Sequence, residues 1–233
     1  AAAGGALWTA VPAWLKSRFG TLEVVSTIMM NFIALHAVSF LVRGPLQEPS
    51  GVYPQSASVP AGTQLPLLLA GTRLHAGLVI AMIAAVIAWV VLERRASGFR
   101  LRAVGSNPRA AAVAGGIDVS RVQVRAFLTS GALAGLAGGV EVLGVTFALY
   151  ENLSPGYGYT AIAVALLARL RVSAAVWSAV LFGGLAAGTT AMQRDAGVPA
   201  GAAAAIEATI ILLLLAGQAL ALRWRPLAFL RST

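Results

Sequence analysis

Long apolar runs, separated by short stretches that collect most of the charge, divide this chain. Residues 22–42, 74–92, 122–147, 173–192 and 202–222 each have the length that an α-helix needs to cross a hydrocarbon core. A shorter run, 157–170, fits either a crossing or a re-entrant segment by length alone. Residues 1–15 begin in mid-pattern, with no basic region ahead of the apolar stretch, and so do not read as a signal peptide. They are expected to be the end of a membrane helix, which makes the chain a fragment. The fold class expected is an all-α, polytopic integral membrane helical bundle that lacks its N-terminal helices.

Charge orients these runs. Lys16 and Arg18 precede the first complete run, and Arg94, Arg95, Arg100, Arg102, Arg109 and Arg121 fill the loop 93–121, with Arg125 just after it. Basic residues collect on the cytoplasmic side, so both places are expected inside. The segment from Tyr150 to Tyr157 holds no basic residue and is then external. A crossing by residues 157–170 brings Arg169, Arg171, Arg223, Arg225 and Arg231 inside, whereas a re-entrant dip leaves all five outside. The bias therefore favours six crossings and a cytoplasmic C-terminus in a cell membrane. The loop from Arg43 to Arg73 is external and carries Pro45, Pro49, Pro54, Pro60 and Pro66, which disfavour helix. Residues 1–233 are treated as a single transmembrane domain.

Composition narrows the function. Only 11% of the residues are charged and 58% are hydrophobic, with a mean hydropathy of +0.82; a soluble domain carries about 25% charged residues. The net charge of +9 lies at the ends of apolar runs without interleaved aromatics, so nucleic acid is not an expected partner. The chain has no cysteine, and His36 and His75 stand in no metal-binding motif. No glycine-rich stretch carries the lysine of a nucleotide-phosphate loop, so any ATP is used by another chain. With no catalytic constellation of His, Asp, Glu or Ser, an enzyme is not expected.

Three sets of residues are candidates for function. Gly131, Gly135 and Gly139, and later Gly184 and Gly188, form stripes without side chains that favour close helix packing in lipid. Polar residues at membrane depth form the second set: Thr27 and Asn31 follow Glu23 on one helix face, and Ser130 and Glu141 share another. Glu23 and Glu207 lie near helix ends and read as interfacial, and His36 as a packed histidine. Asn31 fits a water-lined path and an interhelical hydrogen bond equally. The third set is a short helix in the basic loop. Asn107 can cap it, Pro108 suits its first position, Arg109 to Ala114 favour helix, and Gly115 and Gly116 allow the stop. Asp118 or Ser120 can cap the membrane helix that follows.

Several strings resemble the permease subunits of bacterial ABC importers, in the branch that carries nucleosides and simple sugars and is related to the ribose and branched-chain amino acid permeases. They are Glu23 to Asn31, Gly98 to Ala112, Ser130 to Gly144, Ser154 to Tyr159 with Ala161 to Leu167, and Gly183-Gly184. The resemblance implies a passive pore subunit in the lipid bilayer. Its partners would be ABC ATPase subunits, a second permease subunit and an external substrate-binding lipoprotein, with ATP used by the ATPase and no cofactor on this chain. The short helix then corresponds to a coupling helix, with Gly105, Ser106, Asn107, Pro108, Arg109, Ala110, Ala111, Gly115 and Gly116 at the ATPase contact. The polar faces with Thr27, Asn31, Ser130 and Glu141 would line the path. Family members have several more helices ahead of this point, and Arg169-Leu170-Arg171 departs from the family's turn. The alternative from residues alone is an ion-coupled secondary transporter of small polar solutes. It needs an ionisable relay at mid-membrane, where the chain offers little beyond Asn31.

Overall fold

The computed structural model describes residues 1–224 apart from Ala70, Arg73 and Pro155, with several side chains of the last helix left out. Arg225 and Arg231 thus lie outside the described residues, as do the side chains of Glu207 and Arg223. Contacts divide the chain into two units, Ala1–Leu153 and Ser154–Thr233. The first holds α1 (Ala2–Phe19), α2 (Glu23–Arg43), α3 (Gly77–Trp89), α4 (Ala96–Ser106), α5 (Pro108–Val113) and α6 (Val119–Glu141). The second holds α7 (Tyr157–Leu167), α8 (Val172–Asp195) and α9 (Ala200–Trp224). Two of these helices widen at their ends into π turns, α3 at Val90–Arg94 and α6 at Val142–Thr146. Among the described residues there is no sheet, only isolated bridges.

Backbone contact between α1 and α6 organises the first unit. A Cβ on Gly5 of α1 would stand 2.8 Å from the Cα of Gly135, and one on Gly135 would stand 2.6 Å from the carbonyl oxygen of Ala1. At Gly139 it would meet the Ala1 methyl at 2.6 Å. The three glycines of the α6 stripe therefore lie against α1. In lipid little hydrophobic force drives helices together, so the gain comes from van der Waals contact that only such a surface permits. The Thr9 hydroxyl, also bonded within its own helix, reaches the carbonyl of Phe127 at 3.1 Å across this contact. Gly184 and Gly188 of α8 differ, for a Cβ on either would meet nothing within 4 Å.

α1 stops at Gly20, whose left-handed φ of 64° lets its N–H return to the Lys16 carbonyl. Glu23 is the first residue of α2 and lies 3.7 Å from the Lys16 ammonium. Four helical stretches are long and apolar enough to cross a membrane: Glu23–Arg43, Gly77–Arg94, Val119–Thr146 and Val172–Asp195. At most 17% of each apolar window is buried within the chain. Ile28, Phe32, Ile83 and Ile87 are all exposed. Such helices are apolar for the sake of their surroundings, as lipid or a partner helix requires.

The expected crossing by residues 157–170 is not made by one spanning helix. α7 has 11 residues, a rise of about 16 Å against a hydrocarbon core of about 30 Å. It starts after Gly156 at φ 93° and ends where Arg169 and Leu170 turn left-handed, at φ 52° and 59°. The Leu170 N–H then reaches the Ala165 carbonyl at 3.0 Å. An apolar count registers neither turn, because both ending residues belong to types that usually continue a helix. α8 is tied to α7 by the Ser178 hydroxyl, which donates to the Val164 carbonyl at 3.1 Å.

Gly5→Val is expected to destabilise the protein by about 1–3 kcal/mol, the usual cost of overpacking. Gly4→Val, where a Cβ meets nothing, is expected to leave the melting temperature in detergent unchanged. Equal melting temperatures for the two variants would show that the α1–α6 contact contributes nothing.

Candidate functional site: the basic loop and its helix pair

Two short helices, rather than one, occupy the basic loop. The first, α4, was not legible as a helix in the sequence; it packs back on the end of α3. A Cβ on Gly98 would overlap the Leu92 carbonyl, so only glycine admits this approach. The Ser97 hydroxyl donates to the Val91 carbonyl at 3.3 Å, and the Arg102 guanidinium donates to that of Leu92. The π turn lacks the regular ladder of an α-helix at its end, and α4 supplies the donors its carbonyls need. Arg94, the last residue of the turn, stacks over the ring of Trp89 at 4.8 Å.

α5 follows after a single extended residue. Asn107, at φ −155° and ψ 98°, accepts from the Ala110 N–H at 3.0 Å through Oδ1, and Pro108 takes the first helical position. The helix ends at Val113, one residue earlier than its composition suggests, with Ala114 as the cap. Gly116 is left-handed at φ 58°, and the Ile117 N–H reaches back to the Ala111 carbonyl at 3.1 Å. Of the two candidate caps for α6, Asp118 serves, accepting from the Arg121 N–H at 3.0 Å. Ser120 lies inside α6.

Burial gives α5 an inner and an outer face. Ala111 is buried, as is Val104 of α4. Gly105, Ser106, Asn107, Pro108, Arg109 and Ala110 are exposed, and Val113 is 89% exposed. The outer face therefore offers a small apolar knob beside one guanidinium, the makings of a protein contact. Val113 and Phe99, exposed at 64%, escaped the sequence reading because an isolated apolar residue in a basic loop carries no periodic signal.

A second cluster lies at the C-terminal end of α2, where the last residues of that span meet Glu151, which is outside the spans. Arg43 makes two parallel bonds to Glu151, 2.7 Å from Nε and 2.8 Å from Nη2, and Ser39 donates to the same carboxylate. The Arg43 bond, then that of Ser39, hold the Glu151 carboxyl at a pKa of about 2, although burial opposes them. The proline-rich loop is laced to the segment after α6 by backbone bonds: Ser56 N–H to Leu149, Val59 N–H to Phe147 and Leu65 N–H to Leu143, at 2.7–2.9 Å. Within that loop Glu48 accepts from Gln55 and Ser50, which lower its pKa.

The membrane polar residues are spread out. Thr27 turns its hydroxyl onto the carbonyls of its own helix, Glu23 at 2.9 Å and Val24 at 3.1 Å. Asn31 and Ser130 are exposed, and half-buried Glu141 ends α6. α2 and α6 both pack against α1, and among the described residues no hydrogen bond or ion pair joins any two of the four.

The model of a protein family described as "Branched-chain amino acid transport system / permease component" matches residues 1–217. The chain belongs to this permease family. It is 39% identical over 224 residues to a guanosine ABC transporter permease protein of Bacillus subtilis, covering 94% of this chain and 64% of that relative. To a glucose ABC transporter permease protein of Haloferax volcanii it is 34% identical, covering 94% and 60%. To a nucleoside ABC transporter permease protein of Lactococcus lactis it is 32% identical, covering 89% and 59%. The chain thus spans 59–64% of these relatives' length. No solved structure matches it.

For this permease-family chain the basic loop is a braced element. α4 is fastened to the end of α3, α5 to α4, and Asp118 fixes the start of α6. Asn107→Ala is expected to cost about 0.5–2 kcal/mol of local stability, read as faster amide exchange at Ala110 and Ala111, whereas Asn107→Asp keeps the protection. The Glu151 clasp has its own pH signature. Its folded pKa lies below the usual 4.5, so its stabilisation is present above that value and is lost as pH falls through about 2. Amide protection at Ser56, Val59 and Leu65, corrected for intrinsic rates, is expected to hold from pH 8 to 5 and to decline between 4.5 and 2. Glu151→Gln is expected to show the low value throughout.

Proposed function

We propose that this chain is the membrane-spanning permease part of an ATP-driven importer for nucleosides or simple sugars, driven through α5. The observation that carries the reading is that α5, exposed at Arg109 and Val113, is braced between the ends of two spans. A push on it is therefore delivered to α3 and α6 together. Membership of the permease family, and relatives named for guanosine, glucose and nucleoside transport, support the substrate class. On this reading the chain hydrolyses no ATP and holds no cofactor. ABC ATPase subunits dock on Gly105 to Gly116, a second permease subunit completes the pathway, and an external lipoprotein delivers substrate. Asn31, Ser130 and the half-buried Glu141 face that pathway or the second subunit, because polar groups at membrane depth need water or a partner. An ion-coupled transporter is not favoured, since no ionisable relay joins these residues.

We place the arginine loop at the cytoplasmic face of a bacterial cell membrane, and the C-terminus on the same side. The C-terminal placing follows from the positive-inside bias. A phosphatase fused after Trp224 is expected to be inactive and a cytoplasmic reporter active; the reverse pattern would make α7 re-entrant and the C-terminus external.

Val113→Asp, or Pro108→Gly together with Ala111→Gly, is expected to lower uptake at least about ten-fold, as loss of a central interface contact does. The amount of protein in the membrane should be unchanged, and ATP hydrolysis by the assembled importer should no longer respond to substrate. Unchanged uptake in both variants would refute the assignment of α5.

A further inference from the structure

A cavity of about 560 Å³ opens between α4, the π turn after α3 and the first turns of α6. Three arginines line it, Arg100 from α4 and Arg121 and Arg125 from α6, against one carboxylate, Asp118. Asp118 is already engaged: it caps α6 and lies 3.5 Å from Arg121. Arg100 and Arg125 form no ion pair among the described residues. Apolar residues stand among them in the lining, Leu92 from the π turn, Leu101 from α4 and Val122 from α6, and Leu92 and Val122 belong to the spans Gly77–Arg94 and Val119–Thr146. The cavity therefore sets guanidinium groups beside apolar side chains at the ends of two spans.

We propose that it holds the phosphate of an anionic phospholipid headgroup, with the acyl chains lying along α3 and α6. The charge calls for a phosphate. The apolar part of the lining selects a lipid over the free ion, because a soluble anion gains nothing from Leu92 and Val122, whereas acyl chains bury against them. Guanidinium forks suit phosphate oxygens in pairs, and arginines on successive turns of α6 present two such forks on one helix face. A headgroup here bridges α4 to α6 beneath the coupling helix, and so would stiffen the brace through which α5 acts.

The test is a native mass-spectrometric titration of the purified full-length protein in detergent, with phosphatidylglycerol, phosphatidylcholine and inorganic phosphate as separate probes. Phosphatidylglycerol is expected to bind saturably and more tightly than phosphatidylcholine. Arg121→Gln combined with Arg125→Gln is expected to weaken it about thirty-fold, the effect of two juxtamembrane charges. Arg100→Gln, outside the spans, provides a second variant with about a five-fold loss expected, and Arg171→Gln should change nothing. Inorganic phosphate that displaces the lipid at equal concentration would transfer the site to a free anion. Equal binding of the two lipids, or an equal loss in Arg171→Gln, would overturn the site altogether. The titration needs neither ATPase nor transport, so its failure leaves the importer reading untouched.

Discussion

Where a membrane helix ends, its last carbonyls need donors, and the way this chain meets that need at Val91 and Leu92 determines much else. The π turn after α3 exposes these two groups, and the donors come from the next helix, through Ser97 and Arg102. That requirement draws α4 so close that residue 98 has to be glycine. With α4 fixed, α5 packs on it with Ala111 buried, which orients α5, and Asn107 starts α5 within one residue of the end of α4. The exposure of Val113 is thus a distant result of two carbonyls seeking partners.

A comparable economy governs the α1–α6 contact. Gly5, Gly131 and Gly135 let two backbones approach closely, and Thr9 adds a hydroxyl that links its own helix to its neighbour. Elsewhere the spans keep large apolar side chains on their outsides. Among the described residues the buried apolar side chains are few, mostly Ala and Val, as suits a protein whose solvent is hydrocarbon.

What could be read in the sequence was local. Spans follow from the length of apolar runs, and the caps of α5 and α6 follow from Asn107-Pro108 and Asp118, because a cap involves residues three positions apart. α4 was hidden, since its stability comes from contacts with α3 and not from any apolar period of its own. The left-handed pair Arg169-Leu170 that ends α7 was hidden too, because non-glycine residues give no warning of that conformation. Thr9 with Phe127 and Arg43 with Glu151 join positions 118 and 108 residues apart, which no window on a single sequence can connect. The four polar membrane residues were picked by type and depth, and depth says nothing about which of them share a space.

The distance in sequence between Arg43 and Glu151 also sets an order of events in time. The proline-rich loop takes its backbone partners from residues 143–149, which are synthesised long after the loop itself. At about 5–20 residues per second, the 108 residues between arginine and glutamate take roughly 5–20 s to emerge. By the end of that interval α2 and α3 are both in the nascent chain, while the bonds from the strap between them to residues 143–149 have only just become possible. Its prolines deny the loop an α-helix, leaving it the short 3-10 turn Ala61–Thr63, and its backbone is stitched down when the end of α6 arrives.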